Sequence, residues 1–456
     1  MAYGPFRNAR SLLILVCDLL TISVIFSCVY YVRLKQFPDY LSFDLWLIIS
    51  TFLFTLFISG TYFKERSTKL PRLPVRTFFV CVSAGIICTF WVYLSGPTEF
   101  NNYFGRGVLF FGTLFFGISA TLNRYIINRS HFRQEEEREL LYLGFSESGT
   151  AFLSELNNRE EVHSVSLLSK TAPANENAFK NTQIIRSDSI DQALHKSWQA
   201  IILDPNHHSD SSETSKLVSL RLRGTPVLTL AEYYERQWYM VPVDHIEEDW
   251  FLRSQGFSML GNPVSLRIKR VIDFILSTVM LIISIPIVFI SALLIKLTSK
   301  GPVFFKQTRV GLNAETFTIY KLRTMIQDAE LDGAQWAEKN DPRVTIIGNI
   351  LRKSRLDELP QCWNVVKGEM SFVGPRPERP EFTKELAETI PYYELRHMIK
   401  PGITGWAQVI FPYGASVDDS MKKLQYELYY IKNQSLLLDL NIILRTLITV
   451  FQRAGR

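Results

Sequence analysis

Two adjacent carboxylates flanked by basic side chains are the residues best placed to do chemistry. Asp357 and Glu358 lie between Arg352 and Arg376, and Pro360 follows closely. Proline has no backbone N–H and is best tolerated in the first turn of a helix, so we expect a helix to begin at this pair. A helix start stabilises carboxylates and attracts phosphate. The pattern therefore suits phosphoryl transfer, with an Asp nucleophile, a metal-binding Glu and Arg clamps.

A simpler interpretation remains open, in which the two carboxylates only cap a solvated helix. The helix itself is expected to start near Leu356 and to have an apolar face at helical spacing. That face would consist of Leu359, Cys362, Trp363 and Val366.

Several longer strings surround the acidic pair. The segments LDELPQ, VKGEMSFVGPRP and PGITGWAQV occur in this order, and GPVFFKQ precedes them. Together they closely resemble the signature of the bacterial polyprenyl-phosphate sugar-1-phosphate transferases, the monotopic phosphoglycosyl transferases. A further string, KLRTM, has Leu322 where the family has Phe.

The resemblance implies an activity. A hexose-1-phosphate would pass from a UDP-sugar to undecaprenyl phosphate through a covalent intermediate on Asp357. UMP would be released, and the product would start synthesis of an exopolysaccharide, O-antigen or other surface polysaccharide. Glu358 would hold Mg²⁺, and Arg352 and Arg376 would contact phosphate oxygens. Lys321 and Arg323 match positions at the edge of the family's active site, although they could also be ordinary surface charges.

The elements that must position this site include membrane segments. Of the 456 residues, 47% are hydrophobic and 13% aromatic, with a formal charge of +6. Four apolar runs approach the ~20 residues that cross a bilayer, and basic residues around them favour cytoplasmic ends. We therefore expect a four-helix transmembrane bundle over residues 1–133. The runs are Leu12–Tyr31, Leu45–Phe63, Thr77–Leu94 and Gly107–Ile127.

Short apolar strands alternate with helical stretches over residues 134–261, which predicts a small α/β domain with a parallel sheet. Gly144, Ser146 and Gly149 stand where a dinucleotide fingerprint has three glycines. Because the middle glycine is missing, we expect no bound cofactor. The segment is interpreted as a degenerate Rossmann-like cytoplasmic domain, similar to the accessory domain of the large family members.

The expected catalytic domain, residues 262–456, starts with another apolar run. Basic residues flank both of its ends, and Pro286 lies inside it, with Ser284 two residues earlier. A crossing helix would place Asp357 outside the cell, away from nucleotide sugars. We therefore predict a re-entrant helix-break-helix over about 268–298, which resembles the arrangement in the family. The C-terminal stretch Leu436–Phe451 could lie on the membrane, pack on the core or mediate dimer contacts.

The predicted fold class is thus a membrane protein with α and α/β parts. We expect it in the bacterial inner membrane, multi-pass, with the catalytic domain on the cytoplasmic face and a homodimer as the assembly. Without a dense Lys/Arg tract, no nucleic-acid partner is expected. Two alternatives stay open: an inactive membrane sensor or scaffold of a polysaccharide assembly complex, and a transporter. The transporter is disfavoured because we expect the bundle to lack buried charges and paired broken helices.

Overall fold

The fold comes from a computed structural model of the chain. It describes residues 9–40, 42–62, 72–94, 105–136, 139–159, 165–169, 182–185, 198–327, 341–411 and 416–451, with 191, 196 and 329. The basic segment 63–71, which helped to predict the orientation, lies outside them. The chain divides into two compact units at Leu230, and residues 231–261 belong to the C-terminal unit. The domain boundaries expected after residues 133 and 261 stay predictions.

Long apolar helices open the first unit: α1 (Ala9–Leu34), α2 (Phe43–Ile58), α3 (Arg72–Leu94) and α4 (Arg106–Glu136). They share one core, in which the rings of Phe26 and Phe116 each pack edge-on against Phe52. Leu12–Leu34 and Arg106–Ile127 are long and apolar enough to cross a membrane, whereas the apolar parts of α2 and α3 are shorter.

A charged pair lies inside this core. Asp18 on α1 and Arg124 on α4 are fully buried, and Arg124 Nη2 lies 2.8 Å from Asp18 Oδ2. The Tyr62 hydroxyl donates to the same oxygen at 2.8 Å, and Arg124 Nη2 donates to Thr61 Oγ1 at 3.2 Å. The prediction that the bundle lacks buried charges was therefore wrong. The two charges lie in different apolar runs, and only folding brings them together, where each neutralises the other.

The remainder of this unit is a parallel sheet with helices, as predicted. Its elements are β1 (Glu139–Leu143), α5 (Glu147–Arg159), β2 (Val165–Leu168), β3 (Thr182–Ile185), β4 (Trp198–Leu203), α6 (Ser211–Leu222) and β5 (Val227–Thr229). The strand order is β3-β2-β1-β4-β5, so successive strands are added on one side of β1 up to β3 and on its other side from β4 onward. All neighbouring pairs are parallel, and the described residues of β1 and β2 are almost wholly buried.

The second unit is mixed. After α7 (Leu230–Tyr233) and a π-helical turn come α8 (Glu248–Arg253), the long α9 (Pro263–Thr298) and an antiparallel hairpin of β6 (Phe304–Val310) and β7 (Thr316–Leu322). There follow α10 (Ile346–Ser354), α11 (Gln361–Lys367), β8 (Ser371–Val373), α12 (Pro380–Thr389), β9 (Gly402–Thr404), α13 (Trp406–Ile410), α14 (Val417–Lys432) and α15 (Leu436–Phe451). Strands β8 and β9 pair in parallel.

Helix α9 is continuous through Pro286. Its 36 residues would measure about 54 Å if straight, well beyond the ~30 Å of a bilayer core. Near its start, Lys269 Nζ lies 2.6 Å from Asp439 Oδ2 on α15. Near its end, Ile295 packs with Leu322 and Leu351. Both ends therefore contact the same compact unit, but the predicted turn that would separate two helices is not confirmed.

Candidate functional site

The acidic pair lies in a tight turn between two helices. Helix α10 ends at Ser354, because Arg355 adopts a left-handed conformation with φ of 56°. One 3₁₀ turn, Leu356–Glu358, follows, and Pro360 is the N-cap of α11. The predicted helix start near Leu356 is thus a 3₁₀ turn, and the α-helix begins only at Gln361. The single turn between Arg355 and Pro360 buries both carboxylates, which rules out the solvated-cap interpretation.

The predicted apolar face of this helix was wrong in part. Cys362 and Val365 are buried, as are the polar Gln361 and Asn364, whereas Trp363 is 49% exposed. The reason is that α11 packs on the strand backbone as well as on α9. Asn364 Nδ2 donates to Thr318 O at 2.7 Å, and Tyr320 N donates to Asn364 Oδ1 at 3.2 Å. A polar side chain is needed inside because it bonds to open backbone groups of β7.

Glu358 lies at the centre of a basic cluster. Its Oε1 lies 2.7 Å from Arg376 Nη2 and 3.2 Å from Lys321 Nζ, and its Oε2 lies 3.5 Å from Arg355 Nη1. Burial alone would raise the pKa of the Glu358 carboxyl, but these three cations hold it well below its ordinary value. Burial also lowers the pKa of Lys321, against the attraction of Glu358. Glu358 is therefore ionised and fixed in place.

Asp357 is in the opposite situation. Burial, with the neighbouring Glu358 charge, raises the pKa of its carboxyl to about 6, although Lys321, Arg352 and Arg376 oppose the rise. Such a carboxylate is still mostly ionised at neutral pH but is more basic than an exposed one. A desolvated, more basic carboxylate is the better nucleophile.

The structure brings together most of the predicted site residues. Arg352 belongs to the cluster that acts on Asp357, and its Nε donates to Thr324 Oγ1 at 2.9 Å. Arg323 does not join them. Its guanidinium donates to the carbonyls of Ser299 and Lys300 at 3.0 and 2.7 Å, and so holds the segment after α9. The structure therefore favours a structural role for Arg323 over the predicted phosphate contact.

Arg355 is a site residue that sequence reasoning missed. It directly precedes the string LDELPQ and lies between the predicted clamp Arg352 and the acidic pair, but it was given no role from the sequence. Its left-handed backbone directs its side chain to Glu358. A non-glycine residue with positive φ is uncommon and is often found where function requires it. The backbone conformation, which carries this signal, cannot be read from the residue type.

The acidic pair is the part of the site that could hold a metal ion. Among the residues that the structure describes, no three His, Cys, Asp or Glu side chains form a cluster that could hold one. Mg²⁺ needs fewer protein ligands than such a cluster provides, because it takes most of its ligands from water and substrate phosphates. Asp357 and Glu358 supply hard oxygen donors, and Glu358 Oε2 is held only loosely by Arg355. The pair therefore fits Mg²⁺ that is shared with a phosphate, but not a metal enclosed by protein alone.

The α/β sheet has its own crevice where the strand order reverses. The buried Asp204 lies there, and its Oδ2 accepts hydrogen bonds from Tyr142 Oη at 2.9 Å and Ser146 Oγ at 2.8 Å. Gly144, with φ of 90°, is also close, since a Cβ there would lie 2.9 Å from Asp204 Cβ. A carboxylate at this place would repel a pyrophosphate, and the absence of a bound dinucleotide stays a prediction.

Comparison with known proteins identifies the family of the chain. The profile described as "Bacterial sugar transferase" matches residues 264–453. The chain is 30% identical over 452 residues to the undecaprenyl-phosphate glucose phosphotransferase of Komagataeibacter xylinus, covering 92% of this chain and 80% of that protein.

Two other relatives match over shorter lengths. The UDP-N-acetylgalactosamine-undecaprenyl-phosphate N-acetylgalactosaminephosphotransferase of Aeromonas hydrophila is 40% identical over 57% of this chain and 60% of its own length. The UDP-glucose:undecaprenyl-phosphate glucose-1-phosphate transferase of Klebsiella pneumoniae is 41% identical over 42% of this chain and 41% of its own length. The resemblance found in the sequence is thereby confirmed: this chain belongs to the bacterial sugar transferase family, together with relatives named undecaprenyl-phosphate sugar phosphotransferases.

Proposed function

We propose that this protein transfers a hexose-1-phosphate from a UDP-sugar to undecaprenyl phosphate and thereby starts the synthesis of a surface polysaccharide. The names of the relatives supply the two substrate classes. The observation that carries the proposal is the site itself, in which the buried Asp357 lies beside a fixed Glu358 and a group of cations. Cations around a carboxylate nucleophile are what an attack on an anionic diphosphate requires.

In the first half-reaction, an Asp357 carboxylate oxygen attacks the phosphorus that bears the sugar. A bond forms from Asp357 to this phosphorus, the bond to the bridging diphosphate oxygen breaks, and UMP leaves with the electron pair. The result is an acyl phosphate on Asp357. Arg352, Arg376 and Lys321 offset the charge that builds up on the phosphate oxygens.

In the second half-reaction, a phosphate oxygen of undecaprenyl phosphate attacks the same phosphorus. The bond to Asp357 breaks, and its carboxylate is regenerated, so that the product is a diphosphate-linked sugar on the lipid. We include Mg²⁺ in the proposal, held by Glu358 with help from Asp357, where it would neutralise charge on the diphosphate. Glu358 also orients Arg376 and Lys321 through its two short contacts.

The proposed setting is the cytoplasmic face of the inner membrane. Helices α1 to α4 would span the bilayer, and α9 would enter it and leave on the same face. One observation supports the second point: both ends of α9 contact the catalytic unit. A site at headgroup depth lets a soluble UDP-sugar meet a phosphate anchored in the membrane. The homodimer remains a prediction.

Release of UMP tests the proposal. Purified protein in nanodiscs is given undecaprenyl phosphate, Mg²⁺ and a panel of UDP-sugars that includes UDP-glucose and UDP-N-acetylgalactosamine. We expect release with one of them, and its loss on chelation or in Asp357→Asn. The matched control is Asp418→Asn, which changes an exposed aspartate in the first turn of α14 and should behave as wild type. Turnover by Asp357→Asn would reject the nucleophile, and no release with any donor would favour the inactive scaffold.

A further inference from the structure

A cavity of about 250 Å³ adjoins the acidic turn. Its walls are mostly apolar and include Met280 of α9, Leu356 and Leu359 beside the acidic pair, and Ile443 and Leu447 of α15. Among the described residues that line it, Arg355 and Glu358 are the charged ones, and they lie 3.5 Å apart. The cavity therefore has an apolar body with its charge gathered at one place.

The hydroxyl groups in the lining are already engaged within the protein. Thr404 Oγ1 and Thr446 Oγ1 lie 2.6 Å apart. Ser354 Oγ donates to Ile350 O at 2.8 Å, and Thr449 Oγ1 donates to Arg445 O at 2.9 Å. A uridine or a hexose needs many hydrogen-bonding partners, and leaving its polar groups unpaired here would be costly. An occupant with an apolar chain and a single anionic end fits better.

We propose that this cavity seats the isoprenoid segment nearest the phosphate of the lipid acceptor, with Arg355 contacting that phosphate. The inference rests on the proposed function and locates its acceptor site. A cavity of ~150 Å³ can hold a benzene ring, so this one has room for the first branched unit of the chain. Met280 belongs to the apolar helix α9, which gives the cavity a wall continuous with the proposed membrane segment.

The arrangement also explains how the acceptor would reach Asp357. Arg355 is only loosely paired with Glu358 at 3.5 Å, while Arg376 is held closely at 2.7 Å. Arg355 can therefore exchange its contact with Glu358 for one with an incoming phosphate. Because Glu358 directly follows Asp357 in the same 3₁₀ turn, a phosphate at Arg355 would be next to the phosphosugar on Asp357.

Filling the cavity tests the inference. Ile443→Trp should raise the KM for undecaprenyl phosphate about tenfold, because the larger side chain would displace part of the isoprenoid chain from the cavity. A tenfold change corresponds to the loss of contact with about one apolar side chain. The KM for the UDP-sugar and the single-turnover release of UMP without lipid should stay unchanged, and the latter also shows that the variant is folded. The control Leu440→Trp changes a residue of the same helix that is 52% exposed, and should leave both KM values as in wild type. Equal lipid KM values for both variants would overturn the inference.

A second measurement does not depend on a variant. Undecaprenyl phosphate with a photoreactive diazirine on its first isoprene unit should label α15 near Ile443 and Leu447, and unlabelled undecaprenyl phosphate should compete. Labelling confined to the exposed face of α9, for example at Phe289, or equal competition by a phospholipid would overturn it. If wild type released no UMP with any donor, the proposed function would fail, whereas the labelling pattern would still decide what occupies the cavity.

Discussion

At the scale of single residues, two neighbouring carboxylates are driven in opposite directions by their surroundings. Glu358 has close cationic partners, so its pKa falls, whereas burial and the Glu358 charge raise that of Asp357 to about 6. Pairs of titratable groups whose pKa values are pushed apart commonly mark different roles in catalysis. Here Glu358 would act as a permanent anion that holds the cations in place, and Asp357 as the more basic nucleophile.

The raised pKa predicts a pH dependence. UMP release in the lipid-free single turnover should fall as pH drops through about 6, because protonated Asp357 cannot attack. Lys321 lowers the pKa of Asp357, so Lys321→Met should raise it and move the acidic limb towards neutral pH. Lys306→Met, an exposed change on the adjacent strand β6, is the control and should leave the limb in place. A limb that stays fixed in Lys321→Met would contradict the assignment of the limb to Asp357.

The same contrast predicts opposite effects on stability. The folded-state pKa of Asp357 is raised, so its contribution to stability is fully present below about pH 4 and is lost as pH rises through about 6. Asp357→Asn removes this cost and should increase the melting temperature at pH 8, with the gain vanishing near pH 4. Glu358→Gln should instead lower the melting temperature at pH 8, because Arg376 and Lys321 lose their partner. Thermal unfolding in detergent at both pH values measures this, and shifts of equal sign would contradict the electrostatic argument.

At the scale of elements, the position of α10 depends on one glycine. A Cβ on Gly348 would lie 1.9 Å from the backbone oxygen of Thr324. That oxygen also accepts from Thr345 N at 3.0 Å, and Thr324 Oγ1 accepts from Arg352 Nε. The close approach of α10 to Thr324 thus aligns Arg352 with the site.

Gly348→Ala should therefore lower both the melting temperature and activity. Helix propensity alone predicts a gain of up to about 1 kcal/mol, but overpacking against backbone costs roughly 1–3 kcal/mol, so the clash should win. The control is Gly261→Ala in the same unit, where a Cβ would meet nothing within 4 Å. Thermal unfolding and UMP release of both variants measure the effect, and an unchanged Gly348→Ala would mean that α10 moves freely.

The elements also show what sequence reasoning can and cannot reach. Period and length predicted the parallel strands of the α/β domain, because those signals are local. The hydrogen-bond partners of a long polar side chain, by contrast, can be far away in the sequence. Arg323 bonds to carbonyls beyond the end of α9, and Asn364 bonds to strand β7, so both depend on backbone groups left open by distant segments. For the same reason, the signature strings located the acidic pair but left Arg355 without a role.

At the scale of the whole molecule, buried charges hold apolar helices in a defined arrangement. In the first unit, Asp18 and Arg124 link α1 to α4, with Tyr62 and Thr61 completing the hydrogen bonds. In the second, Lys269 of α9 reaches Asp439 of α15, whose other oxygen accepts from Tyr430 Oη at 2.6 Å. Apolar helices in lipid gain little from hydrophobic contact with one another, so polar links of this kind specify which helices pair.

The topology of α9 follows from such a link and can be measured. Lys269 fixes the first part of the helix to α15, and Ile295 fixes its last part to β7 and α10. If one compact unit holds both parts, both flanks of the helix should face the cytoplasm. Single cysteines at Val264 and Lys300, in a background in which the five native cysteines are replaced by serine, should react with an impermeant thiol reagent only after the cells are opened. UMP release confirms that each variant is intact.

A cysteine at Phe37, in the exposed segment between α1 and α2, is the control for the opposite face. The proposed bundle places this segment outside the cytoplasm, so it should react in intact cells. A helix that crosses the bilayer would give one reactive and one protected flank. This result would contradict the proposed topology, in which α9 returns to the cytoplasmic face and Asp357 lies on the same side as the UDP-sugar. Two protected flanks beside a reactive Phe37→Cys would mean that α9 enters and leaves by the cytoplasmic face. The contacts at its two ends would then be what returns the helix to the face where the nucleotide sugar is available.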